Sequence, residues 1–189
     1  MKIGMNKKVI IFGLLAIITI TLVSCSSDPE YADPEAHEKT VQLREQYGPL
    51  LVGTWHFERI GERQRFFEQL TFESDGTLTG LRKWQMRSLV TVDGKETLTD
   101  WEDIPEENGT FIGTWKLCWE RSKDGKEGVN RLRLYADWQD GNYVAFSEDA
   151  IFGSANTETL RIKGRSFIHL SPEEDGWITY QRGEAKPDF

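Results

Sequence analysis

Arg82 and Trp84 carry the clearest potential for binding chemistry, because they alternate within one strand-like run, Thr77–Val92. One face of that run reads Leu78, Gly80, Arg82, Trp84 and Met86. An arginine beside a tryptophan on a core-facing line suggests a pocket for an anionic or planar group. The alternative is a bulge that turns Arg82 towards water and leaves Trp84 as ordinary core, since long strands often bend. The pattern leaves both interpretations open.

The other reactive side chains are scattered along the chain rather than grouped. His37, His56 and His169 fall in three separate elements without the spacing of metal ligands, so we expect no metal site and no cofactor. His56 adjoins Trp55 and is a candidate to face a pocket, although a lone histidine is more often structural. No nucleophile elbow or phosphate loop is present, so the sequence leans against an enzyme. Paired catalytic carboxylates stay open, because such pairs form only in space.

The loop at residues 100–108 is strongly acidic. Its five acids are Asp100, Glu102, Asp103, Glu106 and Glu107. Calcium takes oxygen ligands, so a weak calcium site is one interpretation. The spacing matches no known calcium-binding loop, which favours a solvated acidic loop. If the protein binds a partner protein of the cell envelope, this loop is the first candidate for the contact surface.

The start of the chain resembles the leader of a bacterial lipoprotein. Three lysines precede an uncharged apolar run of 15 residues, Val9–Val23. A membrane-spanning helix needs about 20 residues, so the run has the length of a signal-peptide core instead. The run ends in Leu22-Val23-Ser24-Cys25, which resembles a lipobox, with small Ser24 before the cut and Cys25 after it. An ordinary secretory peptide with a chance cysteine is the alternative.

The lipobox resemblance implies cleavage after residues 1–24, lipid on the thiol and the new amino group of Cys25, and anchoring in a membrane. Several acyl chains give stable anchoring, whereas one chain binds only marginally. Ser26 favours the outer membrane over the inner one, and Ser27–Glu30 faintly resembles the acidic signals of surface-exposed lipoproteins. Residues 25–33 are then a lipidated tether.

Composition limits the remaining possibilities. Removal of the leader leaves 165 residues, which fits one domain and a tether. The leader holds three of the 23 basic residues, so 20 basic residues face 31 acidic ones and the net charge is near −11. Such a surface does not suit phosphate backbones, and we expect no nucleic-acid binding. Cys118 lies in an apolar stretch and is expected to be a buried, inert thiol.

The predicted elements are one helix and many short strands. Asp33 and Pro34 suit a helix start and Gly48-Pro49 a stop, so a helix is predicted over residues 34–49. Asp-Gly and Asn-Gly pairs then recur between β-branched and aromatic runs, which is typical of hairpins. The predicted strands are Gly53–Ile60, Arg65–Ser74, Thr77–Val92, Lys95–Trp101, Phe111–Ser122, Val129–Trp138, Tyr143–Phe152, Thr157–Lys163, Ser166–Ser171 and Trp177–Arg182. Alternation of apolar and polar residues in Phe111–Ser122 and Val129–Trp138 predicts that each strand has one solvent-exposed face and one core face, as in a sandwich or barrel.

The first strand resembles that of the lipocalins and the wider calycin superfamily. Gly53-Thr54-Trp55 follows a short helix, and the hairpin at Leu70–Gly80 is similar to one in bacterial lipocalin-like domains. The resemblance implies an all-β, antiparallel up-and-down barrel of eight to ten strands over residues 50–183. It also implies that Arg182 packs over Trp55 and closes the barrel floor.

A second segment, Phe111-Ile112-Gly113-Thr114-Trp115, repeats the pattern of Leu51-Val52-Gly53-Thr54-Trp55. It marks either a duplicated half-barrel or a short local solution to strand crossing. Trp115 is accordingly a second candidate for barrel closure, beside Trp55.

The leading functional hypothesis is a lipid-tethered module that binds a small, partly apolar or anionic ligand. Barrels of about eight strands have room for one small ligand or for side chains only. The candidate ligand-binding residues are Arg82, Trp84, His56 and Tyr180. The alternative is a solid barrel that acts as an interaction or inhibitor module at the outer membrane.

Overall fold

The computed structural model describes residues 33–122, 125, 127–139, 146–164 and 176–189. The described residues from Glu38 onward belong to one compact unit. Helix α1 spans Pro34–Leu51. The carboxylate of Asp33 caps its first turn by accepting the backbone N–H groups of Glu35 and Ala36 at 3.1 and 3.2 Å. Cys25, His169 and the predicted strand Ser166–Ser171 lie outside the described residues.

Eleven strands follow the helix in the described part of the chain. They are β1 (Gly53–Ile60), β2 (Gln64–Phe72), β3 (Thr77–Met86), β4 (Leu89–Val92), β5 (Lys95–Leu98), β6 (Glu102–Asp103), β7 (Gly109–Arg121), β8 (Gly128–Trp138), β9 (Phe146–Ala155), β10 (Thr159–Lys163) and β11 (Ile178–Arg182). A single 3₁₀ turn, Pro105–Glu107, lies between β6 and β7. The predicted β-rich segment therefore folds as strands and tight turns.

Eight of these strands close into an antiparallel barrel. The order is β1, β2, β3, β7, β8, β9, β10 and β11, and β11 pairs with β1 to complete the circuit. Apart from the segment between β3 and β7, each barrel strand pairs with its neighbours in the chain, which is an up-and-down arrangement. The predicted fold class, an all-β barrel preceded by one short helix, is confirmed.

The strand predicted over Thr77–Val92 is wrong in its extent. Strand β3 ends at Met86, and Leu89–Val92 pairs with Lys95–Leu98 in a separate hairpin. The reason is local: Asp93 and Gly94 have φ of 52° and 76°, the conformation of a tight two-residue hairpin turn. The chain then returns through β6, which extends the edge of β3, and through the 3₁₀ turn.

The barrel has two ends that differ in what covers them. At the helix end, where β1 begins and β11 ends, helix α1 packs against the strands through residues 40–51. Trp55 Nε1 donates to the Leu51 carbonyl at 2.8 Å, and Arg44 Nε donates to the Leu117 carbonyl at 2.7 Å. At the far end, where β1 and β3 finish, the 3₁₀ turn lies beside β3.

The barrel interior holds the core. Alternate residues of β7 and β8 point inward as the sequence pattern predicts, with Leu117, Leu132, Leu134 and Ala136 all buried. Aromatic rings fill much of the remaining space, and Trp55, Phe66, Phe72 and Phe111 are each at most 1% exposed. Cys118, expected to be buried, is 4% exposed. The exceptions to this apolar interior are a few charged residues, and they form the candidate site.

Candidate functional site

Four polar side chains meet inside the half of the barrel nearer the far end. Strand register sets Glu68 of β2 directly opposite Arg82 of β3. Arg82 Nε and Nη2 both donate to Glu68 Oε1, at 2.9 and 2.6 Å, and Tyr180 Oη donates to Glu68 Oε2. On the other side of the guanidinium, Arg82 Nη1 donates to Glu107 Oε2 at 2.6 Å. We call Glu68, Arg82, Glu107 and Tyr180 the ion cluster.

Burial divides the ion cluster into an inner and an outer part. Arg82 is 5% exposed, Glu68 1% and Tyr180 0%. The side chain of Glu107 is 38% exposed, because it comes from the 3₁₀ turn and not from a barrel strand. Glu107 is therefore the member of the cluster that water and solutes reach.

The charges of the cluster set its protonation states. Burial disfavours the charged form of Arg82, but the carboxylates of Glu68 and Glu107 outweigh burial and raise the pKa of its guanidinium above the ordinary value. Burial, followed by the charge of Glu68, raises the pKa of Tyr180 well above that of an ordinary phenol. Arg82 therefore stays charged, and Tyr180 stays a hydrogen-bond donor. The negative charge of Glu148, a 3% exposed residue of β9, raises the Tyr180 pKa further.

Aromatic rings surround the cluster. The Arg82 guanidinium carbon lies 5.6 Å from the ring centroid of Trp138 and 5.8 Å from that of Phe66. Phe66 in turn meets Trp84 edge to face with centroids 5.8 Å apart, and Phe57 lies 5.7 Å from Tyr180. Rings at these distances interact favourably with a cation and with one another.

Three of the four candidate ligand-binding residues come together, and one does not. Arg82, Trp84 and Tyr180 share the interior, and Arg82 does not turn out to water through a bulge, because β2 and β3 keep one continuous register. His56 lies on the opposite face of β1 from Trp55, and its Nδ1 is 2.9 Å from the Gly183 carbonyl oxygen. There it lines a surface cleft, apart from the other three candidates.

Sequence reasoning missed Glu68 and Glu107 as members of the site. A signal for Glu68 was present, since alternation sets it on the same line as Phe66, Leu70 and Phe72, all of which are buried. An acid on a core-facing line requires a partner. Glu107 gave no comparable signal, because its position depends on the path of the loop.

The residues predicted to close the barrel lie at the helix end. The Arg182 guanidinium carbon is 4.8 Å from the Trp55 ring centroid, and its Nη1 and Nη2 donate to the carbonyls of Leu50 and Val52 at 2.9 and 2.7 Å. Gly53 has φ of +124°, and a Cβ there would lie 2.9 Å from Arg182 Nη2. Both the backbone conformation and the close approach of Arg182 therefore require glycine at this position.

Trp115 belongs to the same end but makes separate contacts. Its Nε1 donates to the Glu73 carbonyl at 2.9 Å, and its ring meets Phe72 edge to face. It also lines a surface cleft of about 1030 Å³ together with Arg44, Pro49, Asp75 and Leu117. This cleft lies between the helix and the β2–β3 turn, away from the ion cluster.

Among the residues that the structure describes, no group of three His, Cys, Asp or Glu side chains is placed to hold a metal ion. The helices in that part of the chain are too short or too polar to cross a bilayer. Searches against protein-family models, curated proteins and solved structures found no match to this chain.

Proposed function

We propose that this protein is an exported, lipid-anchored barrel that binds a small molecule at its far end, around the ion cluster. The observation that carries the proposal is the burial of Glu68 and Arg82 inside an otherwise apolar barrel. Replacing such a buried pair by packed apolar residues is often neutral or stabilising by about 1–4 kcal/mol. Stability alone therefore does not account for the cluster, whereas recognition of a polar group does.

The anchor follows from the leader. Residues 1–24 have the charge, length and terminal box of a lipoprotein signal peptide, and Cys25 precedes helix α1 by a short polar segment. With lipid on Cys25, the barrel works at a membrane surface, and Ser26 favours the outer membrane. The lipocalin-like resemblance implies a barrel of about eight strands after a short helix, and it supports ligand binding by this barrel.

A second candidate function is a protein-interaction or inhibitor module. The hairpin of β4 and β5 favours it, because Leu89, Val90 and Val92 are 44%, 37% and 54% exposed on a two-stranded sheet outside the barrel. Exposed apolar clusters of this kind often mark protein contacts. The acidic loop at residues 100–108 lies next to this hairpin in the chain and would add charge to such an interface.

Native mass spectrometry tests the binding proposal. The full chain is extracted from its own membrane in a mild detergent and sprayed under native and denaturing conditions. We expect an additional small-molecule mass in the native spectrum that disappears on denaturation. A barrel that carries no small molecule, and that shifts in no thermal-stability screen of small ligands, would instead support the interaction module.

Intact mass tests the anchor separately. We expect the mature protein to lack residues 1–24 and to carry the mass of a diacylglycerol and an amide-linked acyl chain. A Cys25→Ser variant should lose that added mass and leave the membrane fraction. Wild-type protein found without lipid would contradict the anchor and leave the binding proposal standing.

A further inference from the structure

We infer that the ligand presents a protonated amine or a similar organic cation to the ion cluster, with Glu107 as its main contact. This inference rests on the proposed function and names the chemistry of its ligand. The interior arginine suggested an anionic ligand when only the sequence was considered. The contacts around that arginine point to the opposite charge.

The ion cluster holds more negative than positive charge. One guanidinium, that of Arg82, lies between two carboxylates, those of Glu68 and Glu107. All three nitrogens of Arg82 already donate to these carboxylates. An anionic ligand would add to this excess of negative charge, whereas a cation would balance it.

Glu107 lies at the solvent side of the ion cluster. Its Oε2 accepts from Arg82, while its side chain remains 38% exposed at the solvent side of the cluster. Glu68, by contrast, receives two donors from Arg82 and one from Tyr180 and is 1% exposed. Glu107 is thus the carboxylate with both access and remaining acceptor capacity.

Aromatic side chains surround the ion cluster. Phe66 and Trp138 already hold one cation, Arg82, within 6 Å of their ring centroids. Phe66 is fully buried, but Trp138 is partly exposed and offers its ring to a second organic cation with an aromatic or aliphatic body, since ring faces attract cations and apolar groups alike. The net charge of the mature chain, near −11, also concentrates cations around the protein.

The test compares three probes of matched size: 2-phenylethylamine, 2-phenylethanol and phenylacetate. Binding to the full chain in non-ionic detergent is measured by isothermal titration calorimetry near neutral pH. We expect the amine to bind at least tenfold more tightly than the alcohol, and the acid to bind more weakly than either. The affinity of the uncharged alcohol measures how much the ring contributes to binding without a charge.

Two matched variants locate the effect. Glu107→Gln removes the charge at the cluster, and Glu120→Gln makes the same change on the outer face, where a carboxylate 35% exposed pairs with Arg131 and Arg133. We expect Glu107→Gln to abolish the tenfold preference for the amine without weakening the alcohol, and Glu120→Gln to change neither. Both positions are partly exposed, so both variants should fold.

The outcomes separate the two proposals. Equal or tighter binding of the acid or the alcohol overturns the cationic ligand but leaves a binding barrel. An amine preference that survives in Glu107→Gln and falls in Glu120→Gln also overturns it, because the cation then binds outside the cluster. If none of the three probes binds and native spectra show no ligand, both proposals fail together.

Discussion

Two arginines, one at each end of the barrel, show how the same side chain meets different requirements. Arg182 is exposed at the helix end, covers the Trp55 ring and donates to two backbone carbonyls of residues 50–52. Arg82 is buried nearer the far end and donates to two carboxylates. The first arginine keeps much of its hydration, and its partners are neutral. The second has lost its water and depends on its counter-charges.

The difference separates a structural contact from the proposed recognition site. An exposed guanidinium that donates to carbonyls joins the helix to the barrel at little desolvation cost. A buried guanidinium with carboxylates carries a large desolvation cost that its partners only offset. Barrel closure therefore accounts for the contacts at the helix end, whereas stability alone does not account for the ion cluster.

Arg82→Met should give the largest loss of stability. It leaves Glu68 buried without its counter-charge, and breaking a buried pair in this way costs about 3–5 kcal/mol. The free energy of unfolding is measured by urea titration with circular dichroism near neutral pH. Arg133→Met, at a position 45% exposed and paired with Glu120, is the control and should cost about 0–1 kcal/mol.

The double variant Arg82→Met with Glu68→Leu sharpens this result. With the buried Glu68–Arg82 pair removed, stability should return to near that of the wild type. Because Glu107 keeps its charge, the preference for the amine should remain. If the double variant is as unstable as Arg82→Met alone, the cluster holds the barrel together and the distinction between the two ends is wrong.

Arg182→Met should have a smaller effect on stability and none on the ligand. It removes two hydrogen bonds and one ring contact at an exposed position, worth together about 1–2 kcal/mol. The same urea titrations give the loss, with exposed Arg63→Met as control. A change in amine affinity in Arg182→Met beyond that in the control would show that the two ends are coupled.

Most of the barrel could be predicted because its signals are local. Strand β1 has the predicted bounds, and β8 begins within one residue of its prediction, since alternation and turn residues act over a few positions. Alternation alone also places His56 on the face opposite Trp55, and the structure accordingly sets it at a surface cleft and not in the barrel interior. The long strand Thr77–Val92 failed because the Asp93-Gly94 turn pairs its second half with Lys95–Leu98.

The site was harder to predict because its contacts are distant in sequence. Arg82 is separated from Glu68 by 14 residues and from Glu107 by 25, and Tyr180 is separated from Glu68 by 112. Alternation shows which side chains point inward. It does not show which of them meet, because strand register and the path of the 105–107 turn decide that.

The two Gly-Thr-Trp segments have the same residues, but different structural constraints act on each of them. Gly53 is required by its positive φ and by Arg182. Gly113 lies within β7 where a Cβ would be 1.9 Å from the Tyr135 carbonyl oxygen, so the close approach of β8 requires it. Trp55 is fully buried, and Trp115 is half-buried against the β2–β3 turn. These contacts favour two local solutions over a shared role.

Asp75→Asn should give the smallest effect, and its pH dependence distinguishes it from the others. Asp75 Oδ1 accepts the backbone N–H of Thr77 at 2.8 Å in the β2–β3 turn, and that hydrogen bond lowers the pKa of the carboxyl below its ordinary value. A carboxyl whose pKa is lower in the folded than in the unfolded state stabilises the fold above the unfolded value, about pH 4, and loses that effect as pH falls. Thermal unfolding midpoints of the wild type and Asp75→Asn should therefore differ near neutral pH and converge on acidification. A gap that stays constant with pH would assign the effect to turn geometry, and a gap that vanishes in about 1 M salt would assign it to long-range charge.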